Sequence, residues 1–402
     1  MKHDFKSVCV MGLGYIGLPT ASLLGTKGYN VHGVDISQKT VDTINEGNIH
    51  IIEPDLDILV KSAVGAGKLK AALQPTEADV FIIAVPTPFI GDHEPDLSYI
   101  KQATEAISTY IKPGNLILLE STSPVGTTDE VVATILAEKG HKVGEEIFLA
   151  YCPERVLPGQ ILIELVQNDR IVGGINDAST KMAVSFYQTF VNGNVFPTNA
   201  KTAEMVKLTE NSFRDVNIAF ANELSIIADV DEISVWEVIE LANKHPRVNI
   251  LQPGPGVGGH CIAVDPWFIV SRTPELAKLI RTAREVNDKK PDWVMNKVRA
   301  YAGKFKKPII GCLGLAFKAD VDDLRESPSL EIVRQIRNEQ LGELMICEPN
   351  IKTHDEFELA TLDEVLKNAD IVLLLVDHKE FSSLSALSLK DKLLIDTRGV
   401  IS

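Results

Sequence analysis

Ser7-Val8-Cys9-Val10-Met11-Gly12-Leu13-Gly14-Tyr15-Ile16-Gly17 is the stretch from which the fold is read. A short buried-strand pattern, Ser7 to Met11, runs directly into a G-x-G-x-x-G turn. A helical run from Leu18 to Lys27 follows, then a second strand pattern, Tyr29 to Val34, which ends in Asp35. Strand, glycine turn, helix, strand and acid make up the whole context of a dinucleotide-binding βαβ unit. The glycines Gly12, Gly14 and Gly17 permit a tight turn and close approach of a pyrophosphate to the backbone around Tyr15 and Ile16. The helix start adds unpaired N–H groups and positive potential. Asp35 is placed to accept from a ribose diol and would repel a 2′-phosphate, so the pattern predicts NAD rather than NADP.

Outward from this unit, further strands recur at α/β spacing: Val80 to Val85, Leu116 to Leu119, Ile147 to Tyr151, Arg170 to Val172 and Val195 to Thr198. Helical patterns between most of them predict a mainly parallel sheet, with ligands beyond the strand C-termini. Three turns fall there. Val85-Pro86-Thr87-Pro88 and Glu120-Ser121-Thr122-Ser123-Pro124-Val125-Gly126 offer the hydroxyls of Thr87 and Thr122, either to the nicotinamide end of a cofactor or merely as turn caps. Tyr151-Cys152-Pro153-Glu154-Arg155-Val156-Leu157-Pro158-Gly159 offers Glu154 as an acid/base group and Arg155 as a phosphate or substrate contact.

The middle of the chain reads as one long helix from Ala200 to about Asp229, with no internal glycine or proline. Lys207, Asn211 and Arg214 share one face of it at i, i+4 and i+7. Such a stripe is either a solvated surface or a polar wall around a ligand; an asparagine between two cations suits the wall. His245-Pro246-Arg247 then leads into Gly254-Pro255-Gly256-Val257-Gly258-Gly259-His260-Cys261-Ile262-Ala263-Val264-Asp265. A glycine-dense turn delivers Cys261, and Asp265 follows four residues later. Taken alone, Cys261 reads as an ordinary small buried residue; in a dinucleotide enzyme it reads as a nucleophile. His260 has no second His or Cys at ligand spacing, so no metal site is expected.

The last third repeats the α/β theme. Ser271 to Lys307 reads as helix, broken at Pro274 and Pro291. Strand patterns at Ile309 to Cys312, Leu344 to Cys347, Ile371 to Val376 and Leu393 to Asp396 predict a second, smaller parallel sheet. Lys318, Arg325 and Arg398 sit just after strand ends, and the arginine fork suits a diphosphate. The expected architecture is therefore two doubly wound, Rossmann-like domains, 1–198 and 301–402, joined by a helical segment, 199–300, bearing Cys261.

With 402 residues, 45% hydrophobic and 24% charged, the composition is that of a globular protein of two or three domains. A net charge of −15 argues against a general nucleic-acid or anionic-membrane binder. No apolar run is long enough to span a bilayer. The start, MKHDFKSVCVMG, runs straight into a strand and does not read as a signal peptide. Five cysteines, odd in number and dispersed, suit a reducing cytoplasm.

GLGYIGLP, ESTSPVGTT, the Lys207-x-x-x-Asn211 helix, GVGGHC with Asp265, GLAFKADVDDLRESP and IDTRG together resemble the UDP-glucose/GDP-mannose dehydrogenase family over nearly the whole chain. PERVLPG, LTENSFRDVNIAFANELS and HPRVNILQPGPGVGGHCIAVDPWF are most similar to the branch that acts on UDP-N-acetyl-D-mannosamine. Pro158, Val257 and His260 stand where the UDP-glucose branch carries a glutamate, a phenylalanine and a serine. The resemblance implies two hydride transfers to NAD that take a sugar's primary alcohol to a carboxylate, through a thiohemiacetal and a thioester on Cys261. It implies Lys207 and Asn211 as oxyanion stabilisers, and Asp265, Glu154 and Thr122 as the water- and proton-handling groups. UDP-sugar contacts would come from Arg155, Val156, Lys207, Asn211, Arg214, His245, Arg247, Gly258, Phe317, Lys318 and Arg398, and Arg325 would approach the cofactor. It also implies a homodimer or higher homo-oligomer through the long helix, with Arg247 reaching a neighbour's site.

UDP-N-acetylglucosamine and UDP-glucose are the alternative substrates. A two-electron hydroxyacid dehydrogenase would leave Cys261 and the second α/β domain without a role. A silent NAD- or nucleotide-sugar-binding regulator is the non-enzyme alternative, which the intact Cys261, Lys207 and Asn211 do not favour.

Overall fold

The fold follows from two sets of β-α-β units, which appear in a computed structural model describing residues 5–91 and 93–401. The expectation about the extreme N-terminus, Met1 to Asp4, lies outside the described residues. The chain divides into two compact units, 1–209 and 210–402, and the division falls within the long helix Ala200–Val230.

In the first unit the strands are β1 (Ser7–Met11), β2 (Asn30–Val34), β3 (Leu69–Ala72), β4 (Val80–Ile83), the short hairpin β5 (Phe89–Ile90) and β6 (Glu94–Pro95), β7 (Leu116–Leu119), β8 (Phe148–Tyr151), β9 (Arg170–Gly174) and β10 (Val195–Asn199). Eight of them form one sheet in the order β10-β9-β8-β7-β4-β1-β2-β3. Strands β4 and β7 are buried at every position, as expected of a sheet covered on both faces. The pairing is parallel except between β8 and β9, where Ala150 faces Gly174 and Tyr151 faces Gly173. The sequence reading had no strand at Leu69–Ala72. Its tetrapeptide LKAA carries weak strand propensity, and pairing with β2 supplies what propensity does not.

The second unit holds a four-stranded, wholly parallel sheet in the order β12-β11-β13-β14, from β11 (Ile309–Leu313), β12 (Glu343–Cys347), β13 (Ile371–Leu374) and β14 (Leu393–Asp396). Helix Pro328–Asn338 starts cleanly because Ser327 Oγ accepts from Leu330 N and proline occupies the first turn. The helix-break expected at Pro291 is not there. Helix Lys278–Ala302 runs straight through it, and the break falls only around Pro274, between Arg272 and Lys278. Pro291 is buried, with its ring close against Gly256. Tertiary packing of the ring outweighs the one lost backbone hydrogen bond.

Candidate functional site

In the first unit the glycine turn sits between β1 and helix Gly17–Thr26. Gly17 has no room for a side chain, since a Cβ there would come 1.8 Å from the Gly12 carbonyl oxygen. Beside Gly14, by contrast, the space is open. The helix start carries no side-chain cap and no acid in its first turn, and with Leu18 N donating to the Gly14 carbonyl at 3.1 Å and no N–H on Pro19, an anion there would meet the backbone of the glycine turn. Asp35 is fixed beside the turn: Oδ2 accepts from Leu13 N at 3.1 Å and Oδ1 from Ser37 N at 2.9 Å. Each carboxylate oxygen keeps a lone pair for a ribose hydroxyl. The residues present therefore fit a dinucleotide. The sequence reading passed over His50, whose pKa burial pushes down while the nearby Asp35 charge pulls it up.

The loops after β4 and β7 are tied together. Thr87 Oγ1 donates to the Thr122 carbonyl at 2.6 Å, and Ser121 Oγ donates to the Val85 carbonyl at 2.7 Å. Glu204, fully buried on the long helix, accepts from Gly126 N, Thr128 N and Thr128 Oγ1. That carboxylate caps the single-turn π-helix Thr127–Val132, and so holds the loop bearing Thr122.

Glu154 is buried rather than presented to solvent. Its Oε2 accepts from Arg170 Nη1 at 2.7 Å and its Oε1 from Arg155 N at 2.8 Å. Arg155 Nη1 donates in turn to the Asp169 carbonyl at 3.1 Å, and Val156 packs against the main core. Behind Glu154 lies a cluster that the sequence reading missed: Glu120, Tyr187 and Arg170. Tyr187 donates its hydroxyl to Glu120 Oε1 at 2.7 Å, and the Arg170 guanidinium lies 5.7 Å from the Tyr187 ring centre. Burial first, and then the Glu154 charge, push the Glu120 carboxyl up to about 7. Glu120 was in plain view beside Thr122, but nothing in its sequence context marks it as buried.

This cluster makes a stability prediction. The native Glu120 binds its proton more tightly than the unfolded chain does, so stability falls as pH rises from about 4.5 towards 7. Glu120→Gln removes that loss. The variant should match the native protein near pH 4 and exceed it at pH 8 by up to about 3 kcal/mol, read as urea midpoints at the two pH values. A variant equally unstable at both would show that Glu120 is ionised throughout.

In the second unit the long helix presents Asn211 to Asp265. Asn211 Nδ2 donates to Asp265 Oδ2 at 2.5 Å, and both residues are buried. Asp265 begins helix Asp265–Arg272, and its N–H closes a turn on the Cys261 carbonyl at 2.8 Å. Cys261 is exposed while the other four cysteines are buried. The glycine turn before it is held from both ends. Gly254 N donates to Asn222 Oδ1 at 2.8 Å, and Gly259 N donates to the Arg325 carbonyl at 3.2 Å. Phe317 lies so close that a Cβ at Gly258 or Gly259 would come 2.8 Å from it.

The expected cations divide between engaged and exposed. Arg398 Nε and Nη2 each lie 2.9 Å from Asp377 Oδ1, and Arg325 donates to both oxygens of Asp323. Arg214, His245, Arg247 and Lys318 are exposed, and Lys207 is half-buried one turn before Asn211. Arg247 N donates to His245 Nδ1 at 3.3 Å, which couples those two.

Comparison with known proteins identifies the family. The chain matches three domains of the UDP-glucose/GDP-mannose dehydrogenase family: the NAD binding domain over residues 6–191, the central domain over 201–289 and the UDP binding domain over 311–402. It is 55% identical to an NDP-N-acetyl-D-galactosaminuronic acid dehydrogenase of Ralstonia solanacearum, over 99% of this chain and 97% of that one. It is 56% identical to a UDP-N-acetyl-D-mannosamine dehydrogenase of Campylobacter jejuni, over 94% and 97%. A solved UDP-N-acetyl-mannosamine dehydrogenase from S. aureus is 45% identical, with a TM-score of 0.91, over 99% of this chain and 96% of that one.

Proposed function

The chain belongs to the UDP-glucose/GDP-mannose dehydrogenase family and is an NAD-dependent dehydrogenase, and from that premise we propose that it oxidises UDP-N-acetyl-D-mannosamine to the uronate. The observation that carries the reading is Cys261, the exposed cysteine, on a turn whose glycines are pinned by Phe317, Arg325 and Asn222.

NAD, when bound, accepts a hydride in each of two oxidations. The protein's residues do the rest. Gly14, Tyr15, Ile16 and Gly17 present backbone to the pyrophosphate, Gly12, whose N–H donates to the Val34 carbonyl at 2.8 Å, forms the tight turn, and Asp35 accepts from the ribose. Thr87, Thr122 and Arg325 are assigned to cofactor binding, the two threonines at the nicotinamide end. The first oxidation removes one C6 hydrogen as hydride and releases the hydroxyl proton to solvent, leaving an aldehyde. The Cys261 thiolate then adds to the aldehyde carbon, giving a thiohemiacetal whose C–H is the second hydride source. Loss of that hydride leaves a thioester. Water adds to its carbonyl, the C–S bond breaks, and acid and thiol are released.

Lys207 and Asn211 stabilise the oxyanions, and Asp265 takes the proton of the attacking water. Glu154, held by Arg170, serves with Asp265 in water activation or proton relay, and Thr122 holds the water. Arg155, Val156, Arg214, His245, Arg247, Gly258, Phe317, Lys318 and Arg398 bind the UDP-sugar. The long helix exposes Phe213, Phe220 and Ile227 at seven-residue spacing, 68%, 50% and 50% accessible, which supports a second copy covering that face. Among the described residues no helix is long and apolar enough to cross a membrane. The dispersed cysteines support a cytoplasmic setting.

The relatives' names differ in the sugar, so the test offers several. NADH yield is measured with UDP-N-acetylmannosamine, UDP-N-acetylglucosamine, UDP-N-acetylgalactosamine and UDP-glucose, each limiting. About two NADH per UDP-N-acetylmannosamine, and little from the rest, is the expected result. One NADH per sugar would remove the thioester. Two NADH from another sugar would move the substrate.

A further inference from the structure

Asp377 and His378, which follow β13 in the chain, belong to none of the motifs described above, yet they connect two loops that do. Asp377 is the carboxylate partner of Arg398, whose guanidinium also reaches the Pro253 carbonyl at 3.5 Å. A Cβ at Gly254 would come 2.6 Å from Arg398 Nη1, so the arginine lies directly against the start of the cysteine-bearing turn.

The neighbouring residue acts on the other loop. His378 is 1% exposed. Its Nδ1 accepts from Asp320 N and lies 2.9 Å from Asn350 Nδ2, which places the ring proton on Nε2, where it is donated to Glu348 Oε2 at 3.0 Å. Glu348 Oε2 accepts as well from Leu315 N and Ala316 N, at 2.7 and 3.1 Å. Asp320 sits in left-handed backbone, φ 59°, and is held there from both sides: its N–H by His378, its Oδ1 by Lys379 N at 3.0 Å. The loop so shaped, 315–326, carries Phe317 and Lys318, and rests Phe317 on Gly258 and Gly259. Asp320, His378 and Glu380 bring ligand atoms within 4.8 Å of one another. Both His378 nitrogens are already engaged, so the cluster works as a hydrogen-bond hub.

We infer that Asp377 and His378 are positioning residues for nucleotide-sugar binding. Asp377 aims Arg398 at the substrate, and His378 with Glu348 sets the shape of the 315–326 loop. One turn thereby braces both ends of the Cys261 segment, Pro253–Gly254 and Gly258–Gly259. The inference rests on the proposed assignment of Arg398, Phe317 and Lys318 to the UDP-sugar.

The test measures UDP binding by calorimetry and NADH binding by fluorescence for Asp377→Ala, Asp377→Asn, His378→Ala, Arg398→Ala and the double variant Asp377→Ala/Arg398→Ala. Loss of the charge-assisted pair should weaken UDP by about ten-fold or more in Asp377→Ala and in Arg398→Ala. Since Asp377 acts through Arg398, the double variant should be within about two-fold of Arg398→Ala. His378→Ala should weaken UDP as well, and NADH affinity should stay within about two-fold of native throughout. Asp377→Asn keeps the side chain's volume and serves where the alanine variant does not fold.

UDP affinity unchanged in Asp377→Ala and Asp377→Asn but lost in Arg398→Ala would overturn the positioning role and leave the substrate reading standing. Native UDP affinity in Arg398→Ala would remove Arg398 from the substrate site, and the inference with it. Equal losses of UDP and NADH in His378→Ala would mean a general loss of structure, which also overturns it.

Discussion

Cys261→Ser is expected to lower uronate formation by on the order of 10³-fold or more while leaving UDP and NADH affinities within about two-fold of native. A thiol has an intrinsic pKa of about 8.5 and supplies thiolate at neutral pH, whereas a serine hydroxyl stays protonated. Serine keeps the volume and the exposure of the position, so the pinned turn around it has no reason to move. The decisive measurement is intact-protein mass during a single turnover. The native enzyme should carry a transient adduct of one sugar nucleotide, and the variant should carry none. Near-native NADH yield from the serine variant would mean that the second oxidation proceeds without a covalent step, for instance through a hydrated aldehyde. Cys261 would then be a lining residue of the site.

The second large effect lies underneath that turn. Asp215 and Arg284 form a fully buried pair, 2.5 Å apart, and Asn287 Nδ2 donates to Asp215 Oδ1 at 2.8 Å. Asn287 in turn accepts from Asn222, which holds Gly254 N. Arg284→Met leaves a buried carboxylate without its cation and should cost about 3–5 kcal/mol, seen as a fall in the urea midpoint. Burial already pushes Asp215 up to about 6, against the pull of Arg284. Without the arginine its folded pKa rises further above the unfolded value, so the penalty is small where both states are protonated and grows as pH rises. The gap between variant and native should therefore be wider at pH 8 than at pH 4.5. Adding Asp215→Asn to Arg284→Met should recover part of the loss at pH 8, because the uncompensated charge is gone. A pH-independent gap with no recovery would mean that the arginine contributes packing alone.

Much of the fold was legible from local pattern. The βαβ unit through Asp35, the parallel second sheet and the long helix all have apolar periodicity that matches their element, and the glycine turns mark where backbone must come close. The positions of Cys261, Asn211 and Asp265 were likewise readable, because spacing on one helix face and one turn is a local property. Weak-propensity β3 and the unbroken passage of the helix through Pro291 were not, since both depend on partners far away in sequence.

The sequence alone therefore determined which chemical groups the protein carries and on which kinds of element they stand. Tertiary structure decided how those groups are charged and aimed. Glu154 reads as an open acid/base residue in PERVLPG, and only folding sets Arg170 against it and buries Glu120 with Tyr187 behind it. Arg398 reads as a cation in IDTRG, and only folding gives it Asp377, 21 residues earlier. Burial and charge pairing are sums over neighbours brought together by the whole chain, and no local pattern of residues contains them.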